Sequence, residues 1–169
     1  MNRFADYFSN YVNDDTITYI GNGDITSFTV SRQDRELAVG LNLESFIDYG
    51  IIENSQNQIA RAMELKKVHI NPRFPKSEFS LDNIERILEY VRHESPAANG
   101  FFDGCEAELE DRTLTLCLKK GGKDVLESQK VDRAIANKIY ELFDLDFVVI
   151  FLEVQAFDIE KAVQKAVEE

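Results

Sequence analysis

The sequence predicts an α+β chain of two small modules, the first a β-hairpin/helix/strand unit and the second an α-β-β-α-α-β unit. Three observations predict it. Short runs with period-two alternation of apolar and polar residues recur between stretches with helical spacing, so strands and helices are interspersed along the chain. Turn-forming residues cluster between those runs, at Gly21-Asn22-Gly23-Asp24, Asn71-Pro72-Arg73-Phe74-Pro75 and Ser95-Pro96-Ala97-Ala98-Asn99-Gly100, where regular structure is interrupted. Two of the three prolines fall within the second cluster, which marks the boundary between modules. The division expected is residues 1–75, residues 76–154 and an amphipathic connector helix at 155–169.

The elements follow in order. Phe4, Phe8, Tyr11 and Val12 stand at helical spacing over residues 3–12. Asn13-Asp14-Asp15-Thr16 breaks that pattern, and Ile17 to Ile20 reads as a short strand or an extended lead-in to the glycine-rich turn. Two strands come next. Ile25 to Val30 sets Thr26, Phe28 and Val30 on one face, and Leu37 to Leu43 sets Leu37, Val39, Leu41 and Leu43 on one face. The polar link between them, Ser31 to Glu36, is of hairpin size. Helical pattern returns from about Leu43 to Leu65, interrupted near Gly50, with Ile59, Ala60 and Met63 as its apolar stripe. Lys66 to Ile70 reads as a strand that ends at the Asn71–Pro75 cluster.

The second module opens at Ser80, a helix-capping residue, with Leu81, Ile84, Leu88 and Val91 on one stripe. Cys105, Ala107 and Leu109 alternate with Glu106, Glu108 and Glu110, and Leu114, Leu116 and Leu118 alternate with Thr113, Thr115 and Cys117. These two runs form a hairpin across Asp111-Arg112. Gly121-Gly122 opens a short helix from Lys123 to about Gln129. A longer helix carries Val131, Ile135, Ile139 and Leu142 or Phe143. Phe147 to Leu152 is almost wholly apolar, as in a strand covered on both faces. The tail places Ile159, Ala162, Val163, Ala166 and Val167 on one stripe. The sequence shows no internal repeat.

Composition narrows the function. The apolar fraction is 44%, with twelve Phe and six Tyr, enough to build a core. The net charge is −12 and is uneven: residues 1–75 hold seven Lys/Arg against ten Asp/Glu, residues 76–169 twelve against twenty-one. Such a field opposes a polyanion at long range. The first residues lack the apolar run of a secretory signal, and no stretch approaches the length of a membrane span, so a cytoplasmic location is expected. In a two-residue hairpin Cys105 shares a face with Leu114, Leu116 and Leu118 while Cys117 points the other way, so two reduced thiols are expected; a bulged three-residue turn would change that register.

Chemistry-bearing patterns are sparse. His69 and His93 are isolated, and no Cys/His set has metal-ligand spacing. No nucleophile signature occurs. Gly121-Gly122-Lys123-Asp124 lacks the Lys-Ser/Thr of a phosphate loop, and Gly21-Asn22-Gly23 lacks the third glycine of a dinucleotide fingerprint. Glu106, Glu108 and Glu110 read as the solvated face of a strand. One basic cluster remains: Lys119, Lys120, Gly121, Gly122 and Lys123, between a strand and a helix N-terminus, where backbone N–H groups favour anions. These five residues are the candidate nucleic-acid or anion site. No catalytic residue, metal or cofactor is expected.

The order α-β-β-α-α-β is that of a type II KH-like module. The run Ala107 to Leu116, AELEDRTLTL, is similar to the strand–turn–strand of the N-terminal domain of the bacterial replication initiator DnaA. The run Ile17 to Val30, ITYIGNGDITSFTV, with its polar turn and alternating strand, resembles the start of the PolC-type DNA polymerase III α subunit. The resemblance covers about residues 3–154 and is one of pattern and order. In that family two small N-terminal domains precede an OB fold, the polymerase and an embedded proofreading exonuclease, and the catalytic carboxylates lie outside the N-terminal domains. The resemblance therefore implies a non-catalytic segment of a polymerase that tethers it to replisome proteins, near the nucleoid, with no membrane and no small-molecule substrate. Single-stranded nucleic acid is the alternative partner, and a free-standing adaptor a further alternative. Two departures stand out. Gln33-Asp34-Arg35-Glu36 is not basic, and the junction Ser128-Gln129-Lys130-Val131 has no glycine where an RNA-clamping KH domain carries GxxG.

Overall fold

The computed structural model describes residues 2–98 and 100–153; the expected connector at 155–169 and its apolar stripe lie outside the described residues. Among the described residues the fold is α+β, with two separate three-stranded sheets. The chain divides into two units: residues 2–80 with Tyr140–Leu145, and residues 81–139 with 146–153.

In the first unit α1 (Phe4–Phe8) buries both phenylalanines, whose rings stack at 4.8 Å. It stops short of Tyr11 and Val12, which the helical spacing had included. Residues 17–20 are not extended. They belong to α2 (Asp14–Ile20), because the Asn13 side chain accepts the Thr16 N–H at 2.9 Å and caps the helix. Asp14 and Asp15 complement the dipole in its first turn. The Ile/Thr/Tyr composition that suggests a strand is overruled by this cap.

β1 (Asp24–Ser31) and β2 (Glu36–Asn42) form the expected antiparallel hairpin, with an irregularity between Ile25 and Ser27. The bulge turns Thr26 and Ser27 onto Gly40, where the Ser27 and Thr26 hydroxyls occupy the space of a Cβ, so a side chain there would require both hydroxyls to rotate away. α3 (Tyr49–Ala62) supplies the crossover to β3 (Lys67–Arg73), which runs parallel to β2. The buried stripe of α3 is Ile52, Ser55 and Ile59, not Ile59, Ala60 and Met63; Met63 is exposed. Ser55 is tolerated inside because its hydroxyl donates to the Ile51 carbonyl at 2.7 Å. The strand also runs on through Pro72, which stands opposite Leu41. Proline does not stop β3 because β3 is an edge strand and its missing N–H costs no ladder bond there. Leu37, Val39, Leu41, Val68 and Ile70 make the sheet side of the core, and Phe46, Phe74, Phe79 and Phe143 pack as an aromatic cluster with centroids 5.1 to 5.7 Å apart.

The second unit begins with a 3-10 turn, Leu81–Asn83, and α4 (Ile84–Arg92). Asn83, rather than Ser80, directly precedes the helix. β4 (Glu106–Glu110) and β5 (Thr113–Leu118) pair antiparallel across Asp111-Arg112 in the two-residue register. That register pairs Glu106 with Cys117 and so sends Cys105 to the opposite face. α5 (Lys123–Ser128) and α6 (Val131–Phe143) cross over to β6 (Val148–Glu153), parallel to β5. Val131, Ile135, Ile139, Leu142 and Phe143 are buried as the spacing predicts.

β6 departs from the sequence reading. It is covered on one face only: Val149 and Phe151 are buried, while Val148, Ile150 and Leu152 are 61%, 41% and 48% exposed. An all-apolar strand carries no alternation from which an open face could be read.

Both units have one topology. A helical lead-in precedes an antiparallel hairpin, a helical crossover and a third strand parallel to the second, and each sheet follows chain order. Left-handed residues repeat as well: the hairpin tips Arg35 and Asp111 have φ +55° and +54°, and Glu64 and Asp144, after the crossover helices, have φ +53° and +56°. The repeat absent from the sequence is therefore present as architecture.

Candidate functional site

The basic loop sits where the sequence places it, between β5 and α5. Gly121 and Gly122 hold φ +69° and +93° in succession, a left-handed pair that only glycine adopts without strain. Phe101 lies where a Gly122 side chain would stand. The loop carries three lysines, and each has a carboxylate beside it. Lys119 Nζ lies 3.4 Å from Glu106 Oε1, Lys120 Nζ 3.3 Å from Asp103 Oδ2, and Lys123 Nζ 4.0 Å from Glu127 Oε1. Asp103 is shared with Arg92 Nη2 at 3.5 Å. The α5 terminus is engaged too, since the Lys123 N–H donates to Glu153 Oε1 at 2.7 Å. Exposed pairs of this kind contribute only about 0–1 kcal/mol each, so they do not lock the lysines. They do cancel the local positive field that an incoming polyanion would meet.

The remaining sequence candidates are dispersed. His69 is exposed on β3 and His93 is the C-cap of α4. Among the described residues no three His, Cys, Asp or Glu side chains converge as metal ligands, and no helix is long and apolar enough to cross a membrane. The Gly21–Asp24 turn borders an open cleft of about 460 Å³ whose charged walls are Arg3, Asp24 and Glu44. One guanidinium against two carboxylates gives it no anion-binding character.

A second feature comes from the register of the β4–β5–β6 sheet. Glu106, Cys117 and Leu152 stand in one row across the strands, Glu108, Thr115 and Ile150 in the next, and Glu110, Thr113 and Val148 in the third. The outer face is thus three columns: acidic on β4, small and neutral on β5, aliphatic on β6. The acidic column was legible from the alternation of residues 105–110. The aliphatic column was not, because nothing in Phe147–Leu152 distinguishes the inward residues from the outward ones. Its signal lies in the pairing with β5.

Compared with known proteins, the chain matches no family model and no curated protein.

Proposed function

We propose that this chain is a non-catalytic interaction region at the N-terminus of a replicative DNA polymerase III α subunit of the PolC type, where it tethers the polymerase to replisome proteins in the cytoplasm, at the nucleoid. The reading rests on the resemblance of residues 17–30 and 107–116 to that family. It is supported by the second unit, whose helix, hairpin, helix pair and parallel third strand follow the α-β-β-α-α-β order of a KH-like module. The observation that carries the choice of protein over nucleic acid is the sheet of that unit. It leaves an aliphatic column exposed beside an acidic one, while the basic loop at Lys119–Lys123 is matched by carboxylates. Exposed aliphatic side chains in a row favour a protein partner; a nucleic acid favours an uncompensated basic stripe.

Two measurements test it. The coding sequence followed past Glu169 should read into an OB fold and a polymerase; a stop codon at that point overturns the parentage. A labelled oligo(dT) titrated at low salt, where the electrostatic contribution is greatest, should show no saturable binding. Saturable binding that Lys119→Ala, Lys120→Ala and Lys123→Ala together abolish would put nucleic acid in place of the protein partner.

A further inference from the structure

We propose that the outer face of the β4–β5–β6 sheet docks a basic amphipathic helix of a protein partner. This rests on the interaction reading above and gives its partner a chemistry. Val148, Ile150 and Leu152 form a continuous aliphatic column along β6. Alternate residues of a strand span about 13 Å over such a column, which three apolar positions of a helix at i, i+4 and i+8 match with about 12 Å of rise. The acidic column Glu106, Glu108 and Glu110 lies two strands away, about 9.6 Å at the usual strand spacing, close to the breadth of a helix with its side chains. A helix seated on β6 over the small Thr113, Thr115 and Cys117 therefore holds lysines or arginines on one flank above the β4 carboxylates. Glu106 already faces Lys119; Glu108 and Glu110 offer the column's remaining charge.

Charge decides against other occupants. A second copy of this chain, at net charge −12, brings acid against acid. The chain's own residues 157–169 offer an apolar stripe, but with four carboxylates against two lysines. A strand added at the open edge of β6 would leave the aliphatic column uncovered, since that column is on the face.

The test uses the full chain and two short peptides of the same leucine and lysine composition. In one, leucines recur at i, i+4, i+7 and i+8; in the other their order is scrambled. The readout is the methyl NMR spectrum. The amphipathic peptide should bind saturably and shift the methyl signals of Val148, Ile150 and Leu152, with the inward Leu114 and Leu116 quiet. Ile150→Asp should weaken binding by about tenfold or more, equivalent to roughly 1.4 kcal/mol. Glu108→Gln with Glu110→Gln should weaken it several-fold and flatten its salt dependence. Ile150→Thr, which preserves the strand, should weaken it a few-fold and serves if the aspartate variant loses the fold. Equal binding of the scrambled peptide, shifts confined to other surfaces, or no saturable binding overturns the proposal. Parentage is read separately from the coding sequence, so failure here with a polymerase downstream rejects this face alone.

Discussion

At the scale of single residues, Cys105 has a titration set by its surroundings. It is only 7% exposed, and burial, with Cys117, Glu85 and Glu106 nearby, pushes its thiol from 9.0 up to about 11 despite the opposing Lys119. The folded state thus retains the thiol proton where the unfolded chain releases it. Its contribution to stability is full below pH 9 and is lost as pH rises through 11. Cys105→Ala should flatten the fall in urea midpoint across that window, and a thiol reagent at neutral pH should modify the half-buried Cys117 first. Gly122 is the second case. Gly121→Ala meets open space and carries only the left-handed backbone cost of about 1–2 kcal/mol. Gly122→Ala adds a collision with the Phe101 ring and should lower stability further, as paired urea titrations would show. The sequence announced this glycine pair as a turn. It could not announce Phe101, because that contact joins two loops with a hairpin between them.

At the scale of elements, legibility followed the alternation of side chains. β2, β5 and α6 were readable because one face of each is buried; β1 and β4, at the sheet edges, hold no fully buried residue and were readable by their alternation and the turns that follow them. α2 was not, because its β-branched and aromatic residues favour strands intrinsically and one Asn13 side chain tips the balance. β6 was half readable: a strand by composition, but with no mark of which side it buries. Substitutions should separate its two sides. Phe151→Ala removes a fully buried ring packed at 6.1 Å from Phe102 and should cost about 3–5 kcal/mol. Ile150→Thr, on the open side, should stay within about 0.5 kcal/mol. Equal costs at the two positions, measured by chemical denaturation, would mean that the outer face is covered.

At the scale of the whole molecule, the described residues use one topology twice with different side chains. The candidate loop of the second unit was legible by residue type, whereas its neutralisation by Asp103, Glu106 and Glu153 was not, since those carboxylates come from separate segments; the Lys123–Glu127 pair, at i,i+4 within α5, follows from spacing. Equivalent positions should respond alike. Glu64 and Asp144 both hold φ near +55° after a crossover helix, so glycine at either should raise the unfolding free energy measured in urea by up to about 1 kcal/mol, and valine should lower it by about 1–2 kcal/mol. What the molecule does is tested most directly by competition. The purified chain, in excess, is added to a reconstituted replisome with the PolC-type polymerase, and in parallel to that polymerase alone on a primed template. A tethering region should reduce processive synthesis by the replisome and leave the isolated polymerase unaffected. No effect on the replisome at saturating chain, or equal inhibition of both reactions, would contradict a tethering role.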